Sequence, residues 1–206
     1  MSNHTAELAR LGSATVYEGG GRIGFVDADL VQVIPGSRVA GPARTVTCGQ
    51  GDNLMVHAAM AAVAPGDVLV LTMPEPAPVT LLGELLATHA KVAGAAAVLV
   101  DAAVRDAEEL AAIGLGVWAR WIRVRGATKQ AQGELDVPVF VGGARIRPGD
   151  VLVLDADGVA VVEAERVEEV LQASSAREEH ERRKRVRLQA GALSWEIDGL
   201  EERFGG

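Results

Sequence analysis

The stretch Ala95-Ala-Ala-Val-Leu-Val-Asp-Ala-Ala-Val-Arg105-Asp106 decides how this chain is read. An apolar run of this kind reads as a buried strand, and a helical pattern begins just beyond it at Ala107. Catalytic groups of open α/β sheets sit where strands end. Arg105 and Asp106 stand at that point, and Gly83-Glu84-Leu85-Leu86-Ala87-Thr88 opens a second helical segment upstream. A guanidinium beside a carboxylate, with a further carboxylate at Glu84, points to a metal site that takes a small anionic substrate.

Asp106 also has a local explanation. Asp106-Ala-Glu-Glu109 fits a capping box, in which the Asp carboxylate accepts from the start of its own helix and Glu109 reaches back. Glu84 alone would be a favourable charge at a helix start. Gly83 allows close approach of a ligand to the backbone, and the N–H groups from Gly83 to Leu86 could hold a carboxylate. Asp101 is a further candidate ligand or the polar end of the strand.

Outward from this point the pattern alternates. Residues 5–18 read as one helix, and Gly19–Gly24 breaks it. Val31–Ile34 and Val39–Cys48 read as strands around a Pro-Gly turn. Asn53–Val63 reads as a helix with Asp52 as a cap, Leu81–Val92 as a helix, Ala96–Val100 as a strand and Ala107–Ile113 as a short helix. Short strands dominate from Val117 to Val162. A long charged helix follows over 163–188, and then a tail with Trp195 and Phe204. Pro65-Gly-Asp-Val-Leu-Val-Leu71 recurs as Pro148-Gly-Asp-Val-Leu-Val-Leu154, a tight turn entering a core strand in both places.

Composition narrows the classes. The 206 residues fit one domain, or one domain with a projecting arm. Hydrophobic residues make up 49% and aromatic residues 3%, so the core is built of Val, Leu, Ile and Ala. A net charge of −8 and few aromatics argue against nucleic acid and against an anionic membrane as partners. The single cysteine excludes an internal disulfide and suits the cytoplasm, and the first residues carry no signal-peptide pattern. Gly19-Gly-Gly-Arg-Ile-Gly24 matches a dinucleotide fingerprint in letters only, because it follows a helix and precedes no helix. His4, His57, His89 and His180 have no metal-ligand spacing, so a hard, oxygen-liganded Mg²⁺ or Mn²⁺ fits better than zinc. The run 178–187 reads as a solvated helix face that could pack on another subunit.

Leu11-Gly-Ser-Ala-Thr-Val-Tyr-Glu18, Gly51-Asp-Asn53, Gly83–Thr88, Asp101–Asp106 and Pro148-Gly-Asp150 occur in this order. In this the chain resembles the 4-hydroxy-4-methyl-2-oxoglutarate / 4-carboxy-4-hydroxy-2-oxoadipate aldolases of the RraA-like group, which also includes regulators of ribonuclease E. Its most specific part is Glu84 followed, after twenty intervening positions, by Arg105-Asp106.

The resemblance implies a swivelling β/β/α sandwich with a C-terminal helical arm, assembled as a trimer or a dimer of trimers. It implies a class II aldolase that uses Mg²⁺ or Mn²⁺ and releases pyruvate from small 2-oxo acids, with oxaloacetate decarboxylation through the same enolate. Asp106 would bind the metal and Arg105 the keto-acid end of the substrate. Gly83, Glu84, Leu85 and Leu86 would add backbone and carboxylate contacts. Glu181, on the arm, would enter the site of a neighbouring subunit and share the base role with Glu84. Glu84 stands where some members have Asp. The alternatives are a non-enzymatic regulator that binds a protein partner and a dedicated oxaloacetate decarboxylase. Arg22, Arg120, Arg123 and Arg125 are candidates for a distal carboxylate.

Overall fold

The apolar run around Val98 becomes a central strand of a curled sheet. The computed structural model describes residues 3–201, so Phe204 lies outside the described residues. Helices α1 (Asn3–Leu11) and α2 (Ser13–Gly19) come first, then β1 (Val31–Gln32), β2 (Val39–Thr47), α3 (Leu54–Ala59), β3 (Val68–Thr72) and β4 (Thr80–Leu82). Next are α4 (Glu84–Ala93), β5 (Ala97–Val104), α5 (Ala107–Ile113) and β6 (Gly116–Ile122). Strands β7 (Glu134–Leu135), β8 (Val139–Val141), β9 (Ala144–Ile146), β10 (Val151–Asp155) and β11 (Gly158–Val162) follow. One 3-10 turn leads into the long helix α6 (Val167–Gln189), and α7 (Ser194–Ile197) ends the described chain.

The sheet runs β1-β6-β5-β3-β2-β10-β11, with β4 paired to β5 and β7 paired to β2. Strands β2 to β6 pair in parallel, and β10 and β11 add an antiparallel flank. The sheet curls into a half-barrel. Its inner face carries Val68, Val70, Leu99, Trp118, Leu152 and Leu154, and the β8–β9 hairpin closes over them with Val139, Val141 and Ile146. Two helical layers cover the outside. Helices α3, α4 and α5 pack on Leu69, Leu71, Val98 and Val100. Helices α1, α2 and α6 pack on Val151, Val153, Ala160 and Val162. This double covering is why these strands read as continuous apolar runs with no alternation. Each fully buried Leu or Val contributes about 1.5–3 kcal/mol.

The α/β, β/β/α expectation with a long C-terminal helix holds. The repeated heptapeptide also has a clear role, since β3 and β10 flank β2 on its two sides. At each turn the Asp accepts a backbone N–H from three residues earlier, Ala64 N–H to Asp67 at 2.9 Å and Arg147 N–H to Asp150 at 2.8 Å.

Several boundaries differ from the sequence reading. The helix predicted over 5–18 is broken at Gly12, whose φ of 87° turns the chain, and Asp155 takes the Ser13 N–H at the start of α2. Helix α3 stops at Ala59, short of Val63. The start predicted at Leu81 falls in β4, so α4 begins only at Glu84. Strand β5 runs on to Val104, and Asp101 lies within it. Asp101 is buried and hydrogen-bonded to Arg120, at an irregularity in the β5–β6 pairing. Burial pushes its carboxyl up and Arg120 opposes this. The pairing with Arg120 gives Asp101 a structural partner in place of the ligand role considered for it. Helix α2 ends at Gly19, and the loop over residues 20–24 leads to an isolated bridge between Phe25 and Ala160, not to a helix.

Candidate active site

The ends of β4 and β5 lie side by side, because Arg105 N–H donates to the Leu82 carbonyl at 3.2 Å. Gly83 therefore faces the Arg105-Asp106 pair. Asp106 sits at the head of α5 but adopts the left-handed region, φ 60° and ψ 45°, and makes no side-chain cap bond there. The predicted capping box is absent. Instead Asp106 Oδ2 accepts the N–H of Glu84, the first residue of α4, at 3.0 Å. A non-glycine residue held in this region is costly, and such conformations cluster at functional sites.

Close packing enforces the arrangement. A Cβ on Gly83 would lie 2.6 Å from Asp106 Oδ2 and 3.3 Å from Arg105 Nε. A Cβ on Gly126 would lie 3.1 Å from Arg105 Nη1. The guanidinium is thus flanked by two glycines. Its Nε is 3.7 Å from Asp106 Oδ2, too far for a hydrogen bond. Arg105 is 49% exposed and Asp106 38% exposed. Among the described residues the Arg105 guanidinium donates no hydrogen bond, and Asp106 Oδ1 accepts none. Both are free to meet a ligand.

A cleft of about 160 Å³ opens over these groups. Glu84 lines it, with Oε1 accepting from Thr88 Oγ1 at 3.0 Å one helical turn on. Leu85 stands at the rim, 82% exposed, while the Leu86 side chain turns into the core. The N–H groups of Leu85 and Leu86 have no carbonyl partner among the described residues, as expected in a first helical turn.

The opposite wall carries Asn53, His57 and Lys129, which the sequence reading did not single out as site residues. Asp52 builds this wall. It is fully buried and accepts from Leu54 N–H at 2.8 Å, Thr128 Oγ1 at 2.6 Å, Gln130 N–H at 2.6 Å and Ala131 N–H at 3.1 Å. Burial raises its carboxyl, but these four donors outweigh that and hold it well below the ordinary carboxylate value. Asp52 thus does more than cap α3, because it ties the 126–131 loop to the start of that helix. Burial, Lys129 and His89 depress the His57 imidazole below its ordinary value.

Gly83, Glu84, Leu85, Leu86, Arg105 and Asp106 therefore converge as expected from the sequence. Glu181 does not join them in its own chain. It lies on α6, ion-paired to Arg177 at 2.9 Å, and α6 packs on α1 and α2. Of the four distal-carboxylate candidates, Arg22 pairs with Glu18 and Arg120 with Asp101, while Arg123 and Arg125 flank the loop beside Thr80.

Comparison with known proteins now decides the family. The RraA-like family model, described as Aldolase/RraA, matches residues 13–161. The chain belongs to the RraA-like family. A protein of Halalkalibacterium halodurans named "Putative 4-hydroxy-4-methyl-2-oxoglutarate aldolase" is 39% identical over 135 residues, 66% of this chain and 64% of that protein. The aligned part thus spans under two thirds of that relative. The structure of Streptomyces coelicolor RraAS2, described as an unusual member of the RNase ES inhibitor RraA protein family, superposes with TM-score 0.80 at 29% identity. That match covers 90% of this chain and 96% of RraAS2. An uncharacterized protein of Pseudomonas syringae pv. tomato superposes with TM-score 0.83 at 24% identity, covering 94% and 95% of the two chains, and supports the fold. The RraA-like region ends before α6, so the arm carrying Glu181 lies beyond the family match.

Proposed function

We propose that this RraA-like chain is a divalent-metal-dependent class II aldolase. Its substrates are 4-hydroxy-4-methyl-2-oxoglutarate or 4-carboxy-4-hydroxy-2-oxoadipate, cleaved to pyruvate and a second 2-oxo acid. Oxaloacetate decarboxylation accompanies this. The observation that carries the reading is the convergence of Arg105, Asp106 and Glu84 on the start of α4, with the guanidinium and Asp106 Oδ1 unspent.

The donor set suits a hard cation. No group of three or more His, Cys, Asp or Glu side chains could hold a metal among the described residues. Mg²⁺ needs no such group, since it binds through one or two carboxylates and keeps waters or substrate oxygens. Asp106 Oδ1 would hold Mg²⁺ or Mn²⁺, with Glu84 close by. When bound, the cation supplies Lewis-acid stabilisation of the charge that develops on the keto oxygen.

The remaining work falls to the chain itself. Arg105 presents a planar fork to the carboxylate and keto oxygen of the substrate, a geometry that lysine lacks. The N–H groups of Leu85 and Leu86 face the same region at the positive end of a helix. Glu84 takes the C4 hydroxyl proton, directly or through water, as general base. The C3–C4 bond then breaks and its electron pair moves onto the C2 oxygen as pyruvate enolate, which is protonated at C3. Oxaloacetate reaches the same enolate by losing CO₂. Glu181 would join Glu84 from a neighbouring subunit of a trimer or a dimer of trimers.

Pyruvate release from both substrates, measured with and without a chelator, tests this. Turnover is expected to vanish on chelation and return with Mg²⁺ or Mn²⁺. Turnover indifferent to the chelator contradicts the reading. The likeness to RraAS2 supports a second reading, a non-catalytic regulator that binds a protein partner, and complete absence of pyruvate formation would favour it.

A further inference from the structure

The wall opposite Arg105 contains an atom with no partner. Asn53 Oδ1 is buried and accepts no hydrogen bond. The rest of Asn53 is held on every side. Its Nδ2 donates to the Leu81 carbonyl at 3.2 Å, its N–H to the Thr128 carbonyl at 3.0 Å, and its own carbonyl accepts from Val56 N–H at 3.1 Å. The amide cannot simply turn over, because Nδ2 is already committed to a carbonyl. A buried acceptor left without a donor is costly and rare, and calls for an explanation. Asn53 lines the same cleft as Glu84, Arg105 and Asp106.

We infer that Asn53 is a positioning residue, whose Oδ1 orients the water through which Glu84 takes the C4 hydroxyl proton. This rests on the aldolase reading above. The carboxylates and keto oxygen of the substrate are acceptors and cannot satisfy Oδ1, and the C4 hydroxyl, its one donor, gives up its proton to the base in the reaction. A water can, and a polar cleft with several partners is where an ordered water is stable. One hydrogen of that water goes to Asn53 Oδ1 and the other to the Glu84 carboxylate. Its lone pair then faces the C4 hydroxyl. As C3–C4 breaks, the hydroxyl proton passes to the water and the proton of the water passes to Glu84. The bonding pair goes to the C2 oxygen of the enolate, and the water is regenerated. Asp52 holds the backbone of this wall in place through the 126–131 loop.

The two reactions of the cleft separate this role from mere support. Aldol cleavage needs the hydroxyl proton removed, whereas oxaloacetate decarboxylation removes none. Asn53→Ala is expected to lower kcat for aldol cleavage about 10²-fold, within the range for lost acid–base assistance. Decarboxylation by the same preparation should stay within about threefold of wild type, which also reports that the site is folded. Asn53→Ser, whose hydroxyl can still accept, should fall between wild type and Asn53→Ala, and it serves if Asn53→Ala does not fold. Equal losses in both reactions, or no loss in either, overturn the assignment while leaving the aldolase reading intact. A wild-type protein that forms no pyruvate from either substrate overturns both.

Discussion

Two aspartates stand just before helices in this chain, and they are used in opposite ways. Asp52, ahead of α3, is wholly buried and spends its two oxygens on four donors. Asp106, ahead of α5, is 38% exposed and spends one oxygen on one donor, which belongs to another helix. A saturated carboxylate fixes loops. One that keeps an oxygen beside an unspent guanidinium keeps its capacity for a ligand, which in the proposed function is a cation and an anionic substrate. The residue type and its place ahead of a helix are the same at the two sites. What differs is the number of donors that the tertiary fold delivers.

The contrast can be broken from either side. The largest effect is expected for Asp106→Ala. Pyruvate formation should fall by about 10²–10³-fold or more, the scale of losing charge stabilisation in the transition state. The unfolding free energy should fall by only about 1 kcal/mol, the worth of one hydrogen bond. If turnover survives, Asp106 is structural like Asp52. Arg105→Lys comes next, with kcat/KM reduced about 10²-fold, because a point charge cannot reproduce the fork. Near-normal turnover would remove Arg105 from the site.

Asp52→Asn should reverse the pattern. Replacing one acceptor oxygen by a donor sets N–H against N–H, and stability is expected to drop by about 1–3 kcal/mol in chemical denaturation, with a smaller effect on turnover. Its pH dependence has a definite sign. The native carboxyl titrates below its ordinary value of 3.8, so its contribution to stability is complete above that value. The contribution is lost as pH falls from there through the native pKa, and the stability gap between wild type and Asp52→Asn should narrow over that window. A gap that widens on acidification would contradict the four-donor assignment. Thr128→Val, which removes one donor of the four, is the mildest case at about 0.5–1.5 kcal/mol.

Much of the fold was legible because the strands are buried on both faces and so appear as bare apolar runs. Helix α5 has the predicted bounds, Ala107–Ile113, since a strand ends before it and Gly114 in the left-handed region closes it. The convergence of Gly83, Glu84, Arg105 and Asp106 could be anticipated from strand ends. The job of Asp106 could not. Its local pattern fits a capping box, and only the adjacency of β4 and β5 shows that it serves α4. Asn53, His57 and Lys129 were not found because the loop bearing Lys129 has no periodicity. Their common anchor is a contact between Asp52 and residues 128–131, more than seventy positions away. The one signal was Gly51-Asp-Asn53, a polar triplet before a helix, and it reads as a cap until the far loop is in view. Asp101 looks like a strand terminus only if its partner Arg120 is ignored.

Direct titration with Mn²⁺ in the presence of oxalate, followed by electron paramagnetic resonance on wild type, Asp106→Ala and Asp52→Asn, probes the unspent carboxylate itself. Wild type and Asp52→Asn are expected to bind one Mn²⁺ per chain with oxalate, and Asp106→Ala to lose that site while remaining folded. Equal Mn²⁺ binding by wild type and Asp106→Ala, or no bound Mn²⁺ in wild type, would contradict the assignment of Asp106 as the metal ligand.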